Sequence, residues 1–238
     1  MSIELLTKKV KALQLYAMVM SLIILLLLAV SIFLLMRHSR FTEITAERVN
    51  IVEPDGTVKL AISSHQRQDP GRMDNKPFPK RERPAGMIFF NDEGDECGGL
   101  VYDGNKKSAG MTYSIDQYKN DQIMQLQYSQ ENSDTGLQRS YGLKLWDRDD
   151  AFTLTKRIQQ YDSLKALTDS NAYKAGLEKM KAAGYTQQRL FVGKTQAGEV
   201  GLFLNDAHGM PRMRIFINRQ NEPVIQTLND KGDIISSR

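Results

Sequence analysis

The chain has 238 residues, a formal net charge of +4, three histidines and one cysteine, Cys97. That length is enough for one or two domains with cores of their own. Lys8, Lys9 and Lys11 against Glu4 account for +2 of the charge, so the part beyond residue 36 carries only +2. Such a balance excludes the clustered basic footprint of a nucleic-acid-binding protein, and no nucleic-acid partner is expected. A lone cysteine forms no internal disulfide, so cysteine usage selects no compartment.

In chain order, the first element is apolar. Leu15 to Met36 is a run of 22 residues without a charge, about 33 Å as a helix and so long enough for a hydrocarbon core of about 30 Å. A cleaved signal peptide has a core of only about 7–15 residues and a small-residue cleavage site. Here the run passes into Met36-Arg37-His38-Ser39-Arg40, so residues 15–36 are expected to be a retained transmembrane helix surrounded by membrane lipid. Residues 1–14 are then a cytoplasmic tail. Its Lys8, Lys9 and Lys11 are nearly matched by Arg37, Arg40 and Arg48, so flanking charge alone barely orients the helix. The shortness of the tail favours the amino end inside, a signal anchor, with the remainder periplasmic or otherwise extracytoplasmic.

Residues 41–150 alternate apolar and polar side chains between turn clusters, the pattern of hairpins. Val49 and Ile51 are answered across Asp55-Gly56 by Val58, Leu60 and Ile62. Met87 to Phe90 are answered across Asn91 to Gly94 by Leu100 to Tyr102. Met111, Tyr113 and Ile115 precede a longer connection to Ile123, Leu126 and Tyr128, and Asp134-Thr135-Gly136 turns into Tyr141 to Trp146. Three segments share one form: G-M-I-F-F-N-D-E-G ending at Gly94, G-L-F-L-N-D-A-H-G at Gly209, and V-I-Q-T-L-N-D-K-G at Gly232. Gly56, Gly94, Gly209 and Gly232 are therefore expected to be structural turn residues, where glycine takes positive φ without a Cβ penalty.

Two stretches break the alternation. Residues 66–84 hold four prolines with Arg67, Arg72, Lys76, Lys80, Arg81 and Arg83 and no apolar period; a mobile basic loop is expected, offering a surface for lipid phosphates or an acidic partner. Residues 151–188 form a helical insert in which Tyr161, Leu164, Leu167, Tyr173, Leu177 and Met180 recur at helical separations. Asp169 to Asn171 divides it into two helices and Gly184 ends it. Residues 189–238 carry the repeated hairpins and are expected to belong to the same domain as 41–150.

The supply of catalytic groups is thin. No G-x-S-x-G, H-E-x-x-H, G-x-G-x-x-G or P-loop pattern occurs, and His38, His65 and His208 sit apart. The acids of Asn91 to Glu96 depart from the EF-hand pattern and read as a polar turn. Cys97 reads as a small apolar filler, and Tyr102, Tyr113, Tyr141 and Trp146 read as core packing. No catalytic residue, cofactor or metal site is expected.

Thr45 to Thr57 (T-A-E-R-V-N-I-V-E-P-D-G-T) and Ala85 to Gly94 (A-G-M-I-F-F-N-D-E-G) resemble stretches found just after the anchor in a group of uncharacterised bacterial single-pass membrane proteins. The resemblance covers about residues 41–105 and implies an anchor followed by a β-domain, with no activity attached. The expected fold is mainly β, an antiparallel hairpin or meander sheet or sandwich, with one N-terminal transmembrane helix and a helical insert. The expected role is that of a non-catalytic interaction or scaffolding domain, an accessory subunit among other membrane or envelope proteins. The alternatives are an envelope enzyme or a glycan- or lipid-binding module.

Overall fold

The structure is a computed structural model and describes residues 3–36, 41–133 and 136–238; the Arg37 to Arg40 flank and the expected Asp134-Thr135 turn lie outside them. The boundary between two compact units falls between Thr45 and Ala46. The first unit holds one helix, α1 (Ile3–Met36). It is long and apolar enough to cross a membrane, and it begins well before Leu15. Leu5, Leu6, Lys8, Lys9, Lys11, Ala12 and Leu13 are strong helix formers with no glycine or proline among them, so the expected tail is helical from Ile3 onward.

The second unit is built on β-strands: β1 (Arg48–Val52), β2 (Val58–Ser63), β3 (Arg72–Met73), β4 (Lys76–Pro77), β5 (Ala85–Phe90), β6 (Glu96–Gly104), β7 (Ser108–Asp116), β8 (Gln122–Ser133), β9 (Gly136–Arg148), β10 (Thr186–Lys194), β11 (Val200–Asn205), β12 (Pro211–Ile217), β13 (Pro223–Leu228) and β14 (Ile234–Ser237). Apart from the small β3–β4 ribbon, they form one antiparallel sheet of 12 strands in sequence order, with β1 and β14 as its edges. Two helices, α2 (Leu154–Lys165) and α3 (Ser170–Ala182), lie between β9 and β10 in sequence. Those strands pair directly, from Arg148 with Thr186 to Tyr141 with Lys194, so the helical insert leaves the meander uninterrupted and the carboxyl-terminal hairpins continue the same sheet. Asp169 caps α3 by accepting from the Asn171 N–H at 2.8 Å, and Gly184 follows the helix at φ +67°, as the side-chain pattern predicts.

One turn design recurs along the meander. Its first residue donates its N–H to the carbonyl four positions on and accepts at its own carbonyl from the N–H three positions on. This holds for Glu53, Asn91, Thr195, Asp206, Asn218 and Asn229. In all but the Glu53 turn, the opening side chain also accepts from the N–H of the fifth residue. The fourth residue must take positive φ: Gly56, Gly94, Gly198, Gly209, Asn221 and Gly232 do so at +64° to +90°. Asparagine tolerates this region best among residues with a side chain, which is why Asn221 can stand where the others have glycine. The Gln117–Asp121 connection between β7 and β8 has the same two backbone bonds, so it is a tight turn rather than the longer connection expected.

The two faces of the sheet differ. Residues paired across strands share a face, and on one face the register aligns Val49, Ile62, Met87, Leu100, Tyr113, Leu126, Leu143, Val192, Leu202, Ile215 and Ile225 in a single row. The opposite face holds the buried apolar groups Ala61, Ile88, Phe90, Phe191 and Phe216. Ala61, Ile88 and Phe90 form one cluster with Val58 and Val101 packed against it, and the rings of Phe191, Phe203 and Phe216 stack at 5.8 Å between centroids.

Candidate functional site

The exposed row has apolar neighbours on both sides. On one side run Ile51, Leu60, Phe89, Ile115, Met124, Leu145, Leu190, Leu204 and Met213; on the other run Tyr102, Met111, Tyr128, Tyr141, Val200 and Ile217. Lys194 is the one charge in these three rows, and it lies in an outer row. Leu126 is 47 % exposed, Val192 43 %, Ile215 42 % and Ile225 49 %. Tyr102, Tyr113 and Tyr141 are exposed here as well, which corrects their assignment to the core: alternation puts them on a face that no described segment of the second unit covers. Beyond the apolar rows come Gln130 and Arg139 at one margin and Asp147 and Gln187 at the other. At a strand spacing of about 4.8 Å and about 6.7 Å between rows, the band measures roughly 48 by 20 Å, or about 950 Å². The largest apolar patch on a typical monomer is about 300–600 Å².

The covered face is closed partly by residues 64–84, which fold back on the sheet. Asp69 is buried there, accepting from Arg48 Nη2 at 2.8 Å and from the Gly71 N–H at 3.0 Å. Gln68 donates to the Pro84 carbonyl at 2.9 Å. Arg83 makes a bidentate pair with Glu96, at 2.9 and 2.7 Å, with both side chains largely shielded from solvent. Arg72 stands 3.8 Å from Asp69 and over the Phe90 ring, and Arg81 donates to the Pro70 carbonyl while lying over Phe78. Of the six basic residues expected to form a partner surface, Arg72, Arg81 and Arg83 are therefore engaged within the domain. Arg67 faces Glu47 at 3.8 Å, and Lys76 and Lys80 point to solvent. Sequence pattern missed this packing because prolines and charges carry no periodicity.

The acids of the 91–96 turn are likewise engaged. Asp92 pairs with Lys59. Glu93 and Asp95 contact Lys119 Nζ at 2.5 and 2.6 Å, and Asp74 does so at 3.2 Å. The Asp95 carboxylate, followed by that of Glu93, holds the Lys119 ammonium well above the usual lysine range. Lys119 also accepts at its carbonyl from the Leu154 N–H at 3.0 Å, so this one residue ties the folded-back loop, the β5–β6 turn and the start of α2 together. Cys97 is the extra residue of a β-bulge opposite Phe89 and Phe90. Burial, then Asp116 and Glu96, push its thiol up, the reverse of what a reactive thiolate needs.

Between the folded-back loop, the β7–β8 region and the helical insert lies a cleft of about 790 Å³, lined among others by Phe78, Arg81, Glu96, Asp116, Asp121, Arg157 and Tyr161. Asp121 is paired with Arg157 and lies 3.7 Å from Arg148. Asp116 is different: its Oδ1 is buried without a hydrogen-bond partner among the described residues. Burial, then repulsion from Asp121 and Glu96, raises its pKa to about 7. No sequence signal distinguished Asp116, which reads as an ordinary strand-end acid. Among the described residues no group of three or more His, Cys, Asp or Glu side chains is arranged to hold a metal ion. Comparison of the chain with protein-family models, with curated proteins and with solved structures finds no match.

Proposed function

We propose that the chain is a membrane-anchored, non-catalytic interaction domain, an accessory subunit of a larger membrane or envelope assembly, whose docking surface is the bare apolar face of the sheet. The observation that carries this reading is the band of three apolar rows from β1 to β13, exposed and rimmed by polar residues. Its composition, rich in tyrosine and methionine and poor in charge at the centre, is that of interface cores. In this reading α1 is the anchor, its amino end lies in the cytoplasm, and the sheet lies outside.

Affinity purification of the full chain from mild detergent tests the docking surface. Leu126→Lys with Ile215→Lys is expected to abolish recovery of an assembly while leaving the circular dichroism spectrum unchanged. Undiminished recovery would overturn the reading. Protease added to spheroplasts tests the orientation: degradation of residues 41–238 is expected, and full protection until lysis would reverse it.

The cleft supports a second reading, a binding or catalytic site for a small polar molecule, because Asp116 alone among the cleft carboxylates has a buried oxygen without a partner. In that case Asp116→Asn keeps the fold and loses ligand binding or activity.

A further inference from the structure

We propose that the occupant of the bare face is the same face of further copies of this chain, so that the protein is a homo-oligomer whose core is made of stacked apolar sheet faces. This rests on the reading of that face as a docking surface and names its partner.

Three occupants compete for such a face: lipid, an unrelated protein and a second copy. Insertion of the face into a bilayer core is opposed by the edges of the sheet. Strands β1 and β14 have a neighbour on one side only, and their free N–H and C=O groups would stand in hydrocarbon without partners. An unrelated protein would be selected by a charge or hydrogen-bond pattern on the surface, and the two complete rows that include Leu126 and Met124 carry no charge at all. A second copy needs no such code. Uncharged rows repel nothing when turned on themselves, and side-chain rows at regular spacing interdigitate with their own kind, as in sandwiches whose sheets pack about 10 Å apart.

The area agrees. The band offers roughly 950 Å² per copy on strand spacing, against the about 800 Å² per partner of a standard stable interface. One anchor per copy would also hold the chains in a common plane, raising their effective concentration for each other.

The test uses the full chain in mild detergent, with micelle mass subtracted in light scattering. In a Cys97→Ser background, Leu126→Cys places a thiol in the middle row on β8, the sixth of the row's eleven strands. Two or more copies per particle, and a covalent dimer on mild oxidation of Leu126→Cys, are expected. Val192→Lys with Leu126→Lys should reduce the particle to one copy, whereas Lys106→Glu, in the β6–β7 turn, should leave it assembled.

A single copy with the face shielded by a different, stoichiometric protein would overturn the homo-oligomer and leave the docking surface standing. A single copy carrying extracted lipid on that face would overturn it in favour of lipid. A single copy that binds an apolar dye, with nothing bound to the face, would overturn the docking surface as well. If the lysine pair fails to fold, absence of the Leu126→Cys dimer in particles of two or more copies would by itself reject this face as the contact.

Discussion

The two faces of one sheet have opposite fates. On the covered face, loop 64–84 and ion pairs such as Arg83–Glu96 complete a small core at Ala61, Ile88 and Phe90. On the other, three apolar rows cross the same strands and leave side chains such as Leu126, Val192 and Ile225 exposed. Strand alternation makes the bare face the more apolar one, since the covered-face row through Ile88 also holds Asn50, Ser114, Gln125, Lys144 and Arg214, so apolar pattern does not decide which face is closed. What decides it is the chain between strands: residues 64–84 return over the β2–β5 end of the covered face, while no described segment of the second unit returns over the bare one.

The comparison is sharpest where an apolar side chain is removed. Ile88 is 1 % exposed and Ile215 is 42 % exposed, on opposite faces. Ile88→Ala should cost about 4 kcal/mol, the transfer term plus a cavity. Ile215→Ala, measured by urea denaturation at a dilution where the chain is monomeric, should cost under about 1 kcal/mol. Equal losses would mean that the two faces are equally buried in the isolated domain.

The covered face also depends on its charges. Arg83→Met removes a bidentate partner and leaves Glu96 nearly buried and uncompensated, for an expected loss of about 3 kcal/mol. Arg81→Met, at an exposed side chain, should cost under about 1 kcal/mol. A Glu96→Gln change added to Arg83→Met should recover part of the loss, since it removes the stranded charge; no recovery would show that packing of the arginine stem, not its charge, matters there.

Asp116 separates the faces by pH. Its pKa rises to about 7 in the folded chain, against about 4 for an ordinary carboxylate. The protonated form is thus the one the fold prefers. The penalty for ionising it is absent below about pH 4, grows as pH rises toward 7 and is complete above that. Asp116→Asn should therefore match the wild type near pH 4 and exceed it by about 2 kcal/mol at pH 8, less than the roughly 4 kcal/mol that the full shift implies, because a side chain only partly buried is screened by solvent. A pH-independent difference would place the carboxyl in solvent.

Much of this architecture is legible in the residues. The hairpin order follows from alternation between Asn- and Asp-led turns, the split insert from Asp169, and the spanning length of α1 from its uncharged run. The face left bare is not legible, because Tyr113 and Leu126 have the same alternation whether a second layer exists or not. Nor is the folded-back loop: Asp69, Arg83 and Glu96 find each other through tertiary packing, and nothing in their spacing announces it. Three of the recurrent turns also escape a search for Asn-Asp followed by glycine, since Glu53 and Thr195 open two of them and Asn221 occupies the positive-φ position of the third. The signal that would find them is a side-chain acceptor followed three positions later by Gly or Asn.

The smallest effects test those turns, which serve both faces and should be indifferent to the difference between them. Gly94 and Gly232 sit at φ +77° and +84°, and a Cβ on either would meet no heavy atom closer than 3.7 Å. Alanine there has only the backbone preference to overcome, so each should lose about 1 kcal/mol. At Gly209 a Cβ would in addition fall 2.3 Å from Gln187 Oε1, the end of a flexible side chain that can swing aside, so its loss should be only slightly larger. Asparagine at these positions should recover part of the loss, as Asn221 does naturally at φ +64°. Asp206→Asn is the complementary change: the Asp206 carboxylate accepts from the N–H groups of His208 and Met210 at 2.9 and 3.0 Å, and an asparagine oxygen can accept both, as Asn218 and Asn229 do in their own turns. Thermal melts should therefore show Gly→Ala variants lowered and Asp206→Asn nearly unchanged, with assembly altered only in step with folding. An Asp206→Asn protein that melts normally but no longer assembles would give this turn a role in binding and break its indifference to the two faces.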